Sequence, residues 1–215
     1  MPECNTLKVV LLDGSQQAFG SISRKVAEWA LAKLRCDLAI VDLSITRRKL
    51  VDEALHLIDI VNGRQAEGTW HPFWDFERAD VLLLGAPCYN GSISWPLKLY
   101  IDVGLVAGET VATPGLPARI PVRVRHAIIV SAYGGPARFV DDVDPHIAAL
   151  NYALRRVGVP EVSHIAVRNT AGIDDFEVAE DEELVRSIDT AVSACIGTLG
   201  LISMPNGQCC NAQQV

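Results

Sequence analysis

The sequence predicts a doubly wound α/β domain, in which a parallel sheet of five strands carries helices on both faces. Five apolar runs rich in Val, Ile and Leu alternate along the chain with segments whose apolar residues recur at helical spacing. The runs are continuously apolar, which is typical of strands that are buried on both faces. Because strand and helix alternate along the whole chain, we expect a parallel sheet covered by helices.

Each predicted strand is identified by its aliphatic, often β-branched residues. The five runs are residues 7–13 (LKVVLLD), 37–45 (DLAIVDLSI), 79–87 (ADVLLLGAP), 126–133 (HAIIVSAY) and 162–169 (VSHIAVRN). Segments of helical period follow them in the order SRKVAEWALAKL, VDEALHLIDIV, PLKLYIDVGLVAG, PHIAALNYALRRVG and DEELVRSIDTAVSACIGTLG.

Local signals define some helix ends. Asp144 and Pro145 are typical of an N-cap and a first helical residue, while Gly158 and Pro160 indicate where that helix stops. The acidic run EVAEDEELVRS is expected to form the first turns of the last helix, where negative charge suits the helix dipole.

Two segments show no clear period. Residues 62–80 hold two Trp, two Phe and a Pro, and we expect an irregular, partly aromatic insertion. Residues 107–126 are rich in Pro and Gly, which predicts an exposed loop with a possible edge strand at its end.

Length and charge limit the classes of function. The 215 residues suit one domain, which we place at residues 1–203, with a flexible C-terminal tail at 204–215. A formal net charge of -7 gives no basic surface for nucleic acid or an anionic membrane. No leader pattern or membrane-length apolar run is present, so we expect a cytoplasmic protein.

The cysteines and histidines do not predict a metal site. The six cysteines form no C-x-x-C pair, and no histidines lie at a ligand spacing such as H-E-x-x-H. We therefore expect neither a bound metal nor a disulfide framework.

The loop after the first strand, LLDGSQQAFGSISRKVAEW, is a candidate phosphate site. Ligands of open parallel sheets bind at the carboxyl ends of the strands. The loop matches neither G-x-G-x-x-G nor the P-loop pattern, since no lysine follows Gly20. It places Ser15, Ser21 and Ser23 where the first helix begins, and a helix N-terminus binds anions through its unsatisfied N–H groups. A terminal monophosphate fits this loop; a plain serine cap is the alternative interpretation.

The loop after the third strand suits a flat ligand. Pro87 fixes the backbone, and residues from Cys88 to Gly91 place successive amides at the mouth of the sheet. Asn90 can donate and accept through one side chain, and Tyr89 offers an aromatic wall. A β–α turn that merely contains Asn-Gly is the alternative interpretation.

The fourth strand ends in SAYGGPARF, and its paired glycines permit close approach of the backbone to a ligand. The residues concerned are Ala132, Tyr133, Gly134 and Gly135. Three such loops at one end of a sheet predict a planar heterocycle with one phosphate, which is FMN.

In this order, the loops resemble those of the FMN-dependent NAD(P)H azoreductase and quinone oxidoreductase family, which has a flavodoxin-like fold. The resemblance spans roughly residues 7–200 and includes Ser15, Ser21-Ile22-Ser23, Pro87-Cys88-Tyr89-Asn90 with ISWPLKLYID, and Gly134-Gly135. It implies the strand order 2-1-3-4-5 and a homodimer with the flavin sites at the interface. It also implies that the serines hold the FMN phosphate and that the P-x-Y-N loop lies along the isoalloxazine, with the glycine pair near the ring.

The chain departs from the family pattern around the acceptor pocket. Gly91 follows Asn90 where the family often has a bulky apolar residue, and Ala132-Tyr133 replace a Ser-Arg pair. Aromatic residues common after the third helix are missing from AGETVATPGLP. We therefore expect a reshaped pocket, whose natural acceptor need not be an azo dye.

The resemblance implies a ping-pong cycle in which NADH or NADPH reduces the flavin and a quinone, azo compound or related aromatic then takes the same place. The reactive centre is the flavin N5, so no side chain is required as an acid or base. Tyr133 is a candidate proton donor, or else a wall residue. His146 is a candidate to reach the active site or a partner subunit, or else a surface histidine.

Three other interpretations stay open. A flavodoxin-like electron carrier would bind FMN but show almost no NAD(P)H oxidation with a quinone. A dedicated biosynthetic or degradative flavoenzyme would be reduced by its own substrate. A scaffold that has lost its flavin would stay colourless even after FMN is added.

Overall fold

The molecule is built on one five-stranded parallel sheet. The computed structural model describes residues 6–38, 42–135, 144–173 and 176–201. Across the sheet the strands lie in the order β2 (Leu43–Lys49), β1 (Leu7–Asp13), β3 (Val81–Gly85), β6 (His126–Ala132) and β7 (Glu161–Val167). The predicted doubly wound sheet and its order, 2-1-3-4-5 when these five strands are numbered along the chain, are confirmed.

Helices cover both faces of the sheet. The described helices are α1 (Ile22–Asp37), α2 (Ala54–Val61), α3 (Pro72–Arg78), α4 (Trp95–Gly104), α5 (Pro145–Val157) and α6 (Glu182–Leu199), with a short 3-10 helix at Val178–Glu180. One apolar core lies between the sheet and α1 with α6. The second core lies between the opposite face and α2 to α5.

The strands contribute to both cores at once, as the sequence predicts. In β1, Val9 and Leu11 pack in the core beneath α1 and α6, whereas Val10 and Leu12 pack in the other. All five residues of β3 are buried. Successive side chains of a strand point to opposite faces, so a continuously apolar run is what a sheet covered on both sides requires.

The predicted ends of α5 are confirmed. The Asp144 carboxylate accepts hydrogen bonds from the backbone N–H groups of His146 and Ile147 at 3.0 and 3.3 Å. Gly158 closes the helix in the left-handed conformation, with φ of 103°. Glycine adopts this conformation without the steric cost that a Cβ would add.

The boundary predicted for the second strand is wrong. We expected a strand over residues 37–45, but α1 continues to Asp37 and β2 is Leu43–Lys49. β2 lies at the edge of the sheet and none of its residues is classed as buried. An edge strand can carry the polar sequence TRRK because one side of it faces solvent.

Residues 62–80 are not wholly irregular, because α3 lies within them. His71 caps this helix, its Nδ1 accepting from the backbone N–H of Phe73 at 3.3 Å. Burial, followed by the effect of His56, lowers the pKa of His71 to about 4, so the ring stays neutral and able to accept.

The edge strand expected at the end of residues 107–126 does not form. The backbone N–H groups of Arg123 and Arg125 donate instead to the carbonyl oxygens of Phe76 and Asp80. The rest of the segment is held by local bonds, including that from Thr110 Oγ1 to the Gly104 carbonyl oxygen at 2.7 Å.

Two further findings bear on the predicted boundaries. Within the described residues no helix has the length and apolar character needed to cross a membrane. The tail predicted at 204–215 lies outside the described residues.

Candidate functional site

A cavity of about 410 Å³ opens at the carboxyl ends of the parallel strands. Four segments line it, namely residues 17 and 19–23, residues 87–89, residues 132 and 134, and residues 170–173. They follow β1, β3, β6 and β7 respectively. The cavity therefore lies where an open parallel sheet places its ligand, and its volume falls in the range of small-molecule sites.

The N-terminus of α1 forms one wall of the cavity. Ser21 is the N-cap, and its Oγ accepts from the backbone N–H of Arg24 at 3.4 Å. Ser23 is buried behind it, with the two hydroxyl oxygens 3.2 Å apart. The first N–H groups of a helix have no partner within the helix, so Ile22 and Ser23 present donors at this wall.

Ser15 occupies a different place from Ser21 and Ser23. It is fully buried and does not line the cavity. Its Oγ accepts from the backbone N–H of Gln17 at 3.1 Å and lies 3.4 Å from the hydroxyl oxygen of Tyr89. Ser15 therefore connects the loop after β1 with the loop after β3.

The loop after β3 forms a small hairpin. Its strands are β4 (Cys88–Tyr89) and β5 (Ser92–Ile93), which pair antiparallel. Asn90 and Gly91 make the turn with φ of 53° and 73°. Positive φ at both central residues defines a type I′ turn, for which Asn-Gly is the preferred sequence.

The hairpin contributes its base to the cavity. Pro87, Cys88 and Tyr89 line the cavity, whereas Asn90 and Gly91 are exposed and do not. Burial, followed by the nearby Asp144 carboxylate, raises the pKa of the Cys88 thiol. A raised pKa keeps the thiol protonated and weakly nucleophilic.

The loop after β6 divides its residues between the cavity and the core. Ala132 and Gly134 line the cavity, but Tyr133 and Gly135 do not. The Tyr133 side chain is buried and its hydroxyl donates to the Asp144 carboxylate. Burial, followed by that bond, raises the pKa of the Tyr133 hydroxyl. In this arrangement Tyr133 supports the N-terminus of α5.

His146 lies behind the site and away from the surface. It is 1% exposed, and its Nε2 lies 3.0 Å from the Ala86 carbonyl oxygen and 3.1 Å from Ser131 Oγ. A carbonyl oxygen only accepts, so Nε2 carries the hydrogen. Burial lowers the pKa of His146, with the Ala86 carbonyl acting in the opposite direction. The ring thus links α5 to the end of β3.

One wall of the cavity was missed at the level of sequence. It is formed by Thr170, Ala171, Gly172 and Ile173 after β7. The backbone N–H groups of Thr170 and Ala171 donate to the carbonyl oxygens of Tyr133 and Gly134 at 3.0 and 2.9 Å. Ligands of open parallel sheets bind at the carboxyl ends of the strands, and this loop follows the fifth strand. Its position in the sequence therefore could have predicted it as a wall of the site.

Phe19 was also missed. It lies at the rim of the cavity with 90% of its surface exposed. A solitary exposed apolar residue is ordinary on a protein surface, so its sequence position alone carried no signal.

The described lining contains no charged side chain. An anion in this cavity would be held by backbone N–H groups and hydroxyls, with the favourable end of the α1 dipole. Within the parts of the chain that the structure describes, no group of three or more His, Cys, Asp or Glu side chains could hold a metal ion. The backbone N–H groups and hydroxyls of this lining suit a phosphate ester.

The fold and sequence are similar to those of known proteins. A family model described as flavodoxin-like fold matches residues 7–189. An FMN-dependent NADH:quinone oxidoreductase of Cupriavidus necator is 27% identical over 189 residues, covering 80% of this chain and 90% of that protein. Another from Methylocella silvestris is 28% identical over 208 residues, covering 87% and 93%.

A solved structure shows the same fold. It is an FMN-dependent NADH-azoreductase from Bacillus anthracis in complex with FMN, 18% identical, with a TM-score of 0.61 over 89% of this chain and 98% of that one. The family model matches far more than half of this chain, and the sheet order agrees with it. The chain belongs to the family of flavodoxin-like fold proteins.

Proposed function

We propose that this chain is an FMN-dependent NAD(P)H oxidoreductase that reduces quinones, azo compounds or a related aromatic acceptor. The observation that carries the proposal is the cavity at the carboxyl edge, in which the N-terminus of α1 with its serine hydroxyls faces the hairpin base and the loop after β7. The named relatives from Cupriavidus necator and Methylocella silvestris, both FMN-dependent NADH:quinone oxidoreductases, support it.

The donors at the cavity fit FMN. The N–H groups at the start of α1 and the Ser21 hydroxyl suit a terminal phosphate, because an N-terminal helix end favours a dianion even without a lysine. Pro87, Cys88 and Tyr89 suit the ring on the hairpin side, with Ala132 and Gly134 beside them. When bound, FMN supplies the two-electron chemistry between a nicotinamide and the acceptor.

The chain's own residues position and enclose the cofactor. The loop after β7 is hydrogen-bonded to the loop after β6, so these two walls are joined directly through the backbone. Phe19 and Ile173, which are 90% and 41% exposed, provide apolar rim surface for an aromatic acceptor. No described lining side chain is charged.

Five residues predicted at the site do not line the cavity, and their contact with FMN stays a prediction. They are Ser15, Asn90, Gly91, Tyr133 and Gly135. Ser15 and Tyr133 act from behind the loops through hydrogen bonds. Asn90 and Gly91 shape the hairpin and face solvent.

We further propose that the chain acts as a homodimer. Leu55, Ile58 and Val61 on α2 are 77%, 41% and 65% exposed, and Trp95 at the start of α4 is 48% exposed. The two helices contact each other and pack on the same face of the sheet. Since α4 directly follows the hairpin, an interface there would adjoin the flavin site.

The test of the function is a visible spectrum of the purified protein, then anaerobic addition of NADH or NADPH. We expect flavin bands that bleach with one donor and recover with a quinone. Bands that persist with both nicotinamides would contradict the NAD(P)H oxidoreductase and leave an electron carrier or a flavoenzyme reduced by its own substrate. Absent bands that added FMN does not restore would contradict the flavin site itself.

A further inference from the structure

Arg24 spans the loop that leads into α1. Its guanidinium donates from Nε to the Asp13 carboxylate, from Nη2 to the Gln17 carbonyl oxygen at 2.7 Å, and from Nη1 to the Ala18 carbonyl oxygen at 3.1 Å. One side chain thus joins the end of β1 to the middle of the loop. The planar guanidinium makes such divergent bonds in a fixed geometry, which a lysine cannot reproduce.

The Asp13 carboxylate accepts one of these bonds, and we call the bonded set of Arg24, Asp13 and the loop residues the clamp. Its Oδ2 accepts from Arg24, and its Oδ1 accepts from the backbone N–H of Ser15 at 3.0 Å. The Asp13 side chain is 6% exposed and that of Arg24 is 25% exposed. The ion pair is therefore shielded, and both carboxylate oxygens are used within the loop.

The clamp is hydrogen-bonded to the part of the loop that borders the cavity. Gln17, Phe19 and Gly20 line the cavity, although no helix or strand forms over residues 14–20. The carbonyl oxygens of Gln17 and Ala18 are directed at the guanidinium. A carbonyl oxygen turned toward a phosphate would repel it, so this orientation keeps the N-terminus of α1 accessible to an anion.

We propose that Arg24 is a positioning residue for the phosphate half of the flavin site, holding loop 14–20 without contacting the phosphate. The inference rests on the proposed function, because it takes FMN as the ligand. Arg24 does not line the cavity, and its charge is paired with Asp13. Its contribution is therefore expected through the shape of the loop.

The test compares two flavins that differ only in the phosphate. FMN and riboflavin share the ring and the ribityl chain, so a residue that serves the phosphate half affects FMN alone. The full chain, freed of flavin, is titrated with each and binding is followed by flavin fluorescence. For Arg24→Gln we expect the dissociation constant of FMN to rise about tenfold or more, since charge-assisted hydrogen bonds are lost, while that of riboflavin is unchanged.

Lys25→Gln is the matched control. Lys25 is the next residue of α1, carries the same charge, and donates to the Phe176 carbonyl oxygen at 3.4 Å, away from the loop. We expect this variant to bind both flavins as the wild type does. An equal loss of FMN affinity in both variants would indicate loss of positive charge in general and overturn the clamp.

A variant of Asp13 distinguishes the effect of loop shape from the effect of charge, because the two predict opposite changes in FMN affinity. In Asp13→Asn the amide can accept from Ser15 or from Arg24, but its NH₂ group then faces the other donor. The clamp breaks although a negative charge near the phosphate is removed. Weaker FMN binding supports positioning, and unchanged or tighter binding overturns it.

The remaining outcomes are also decisive. Wild-type affinity for FMN in Arg24→Gln, or an equal loss of FMN and riboflavin binding, overturns the role of Arg24. Retained riboflavin binding shows that a variant is folded. A wild-type chain that binds neither flavin removes the proposed function, which separates that failure from failure of the clamp.

Discussion

At Gly14 the chain passes so close to its neighbours that no side chain fits. A Cβ at this position would lie 2.9 Å from the Gly85 carbonyl oxygen, 3.0 Å from Leu97 Cβ and 3.1 Å from Ser94 Oγ. Ser94 Oγ also donates to the Gly14 carbonyl oxygen at 2.6 Å. The loop after β1 is therefore in direct contact with the end of β3 and with the start of α4.

We expect Gly14→Ala to lower the free energy of unfolding by about 1–3 kcal/mol, because the contacts are with backbone and with a Cβ that cannot rotate away. Denaturant unfolding measures the change. Gly197→Ala is the control, since a Cβ there meets nothing within 4 Å on an exposed turn of α6. That variant should be neutral or more stable by up to about 1 kcal/mol, and equal losses at the two positions would contradict the packing account.

The serines at the start of α1 carry the phosphate assignment. We expect Ser21→Ala combined with Ser23→Ala to weaken FMN binding by about tenfold or more, because hydroxyl donors to a charged group are lost. Flavin fluorescence measures it. Ser21→Gly separates phosphate binding from helix capping. Glycine at an N-cap lowers helix stability by only about a few tenths of a kcal/mol, so weaker FMN binding in this variant is attributed to the lost hydroxyl. Unchanged FMN retention in the double variant would remove the assignment.

At the scale of the element, His126 joins β6 to its neighbours. The ring is buried, with Nδ1 3.0 Å from Thr198 Oγ1 on α6 and Nε2 2.9 Å from Ser163 Oγ on β7. Burial lowers the pKa of His126, with Glu161 acting in the opposite direction and Arg155 in the same one. The folded protein therefore holds this ring neutral.

This burial predicts a pH dependence of stability. The unfolded chain binds a proton at the ordinary pKa of 6.5 while the folded chain does so only at lower pH, so stability falls as pH decreases below that value. We expect the urea midpoint to decline from about pH 7 to about pH 5.5, and His126→Gln to reduce the slope. An equal slope in the variant would assign the dependence to other groups.

The elements also show where periodicity misleads. The run expected as the second strand, residues 37–45, is more apolar than the strand that forms, because β2 is an edge strand with the polar sequence TRRK. The hairpin after β3 was unexpected, since its strands have only two residues each. Short elements carry too few residues for a period, and their form depends on what lies beside them.

At the scale of the whole molecule, the exposed apolar side of α2 predicts association. We expect wild-type protein to have twice the 23.3 kDa mass of one chain by light scattering. Leu55→Glu combined with Val61→Glu should convert it to the single-chain mass, because two charges would have to be buried. Tyr152→Glu is the control, since Tyr152 is 70% exposed on α5. A wild-type monomer would contradict the dimer.

The sequence by itself determined the fold class and predicted several of the residues that line the candidate site. Continuous apolar runs and helical periods define the layers, and Asp144 with Gly158 bounds α5, because these signals act between near neighbours in the chain. Ser21, Ile22, Ser23, Pro87, Cys88, Tyr89, Ala132 and Gly134 were predicted at the site and do line the cavity. The carboxyl-end rule locates them because all parallel strands end at one edge.

Only the tertiary structure decided how each of the other residues is used. Ser15, Tyr133 and His146 turn inward to partners on other elements, at Tyr89, Asp144 and Ala86. The loop after β7 becomes a wall because it bonds to the loop after β6, which lies far from it in the chain. In the sequence Arg24 is indistinguishable from any other charged residue of a helix, and its bonds to Asp13 and to the loop appear only in the folded chain. Contacts between distant segments leave no local pattern, so they appear only when the sheet brings its loops together.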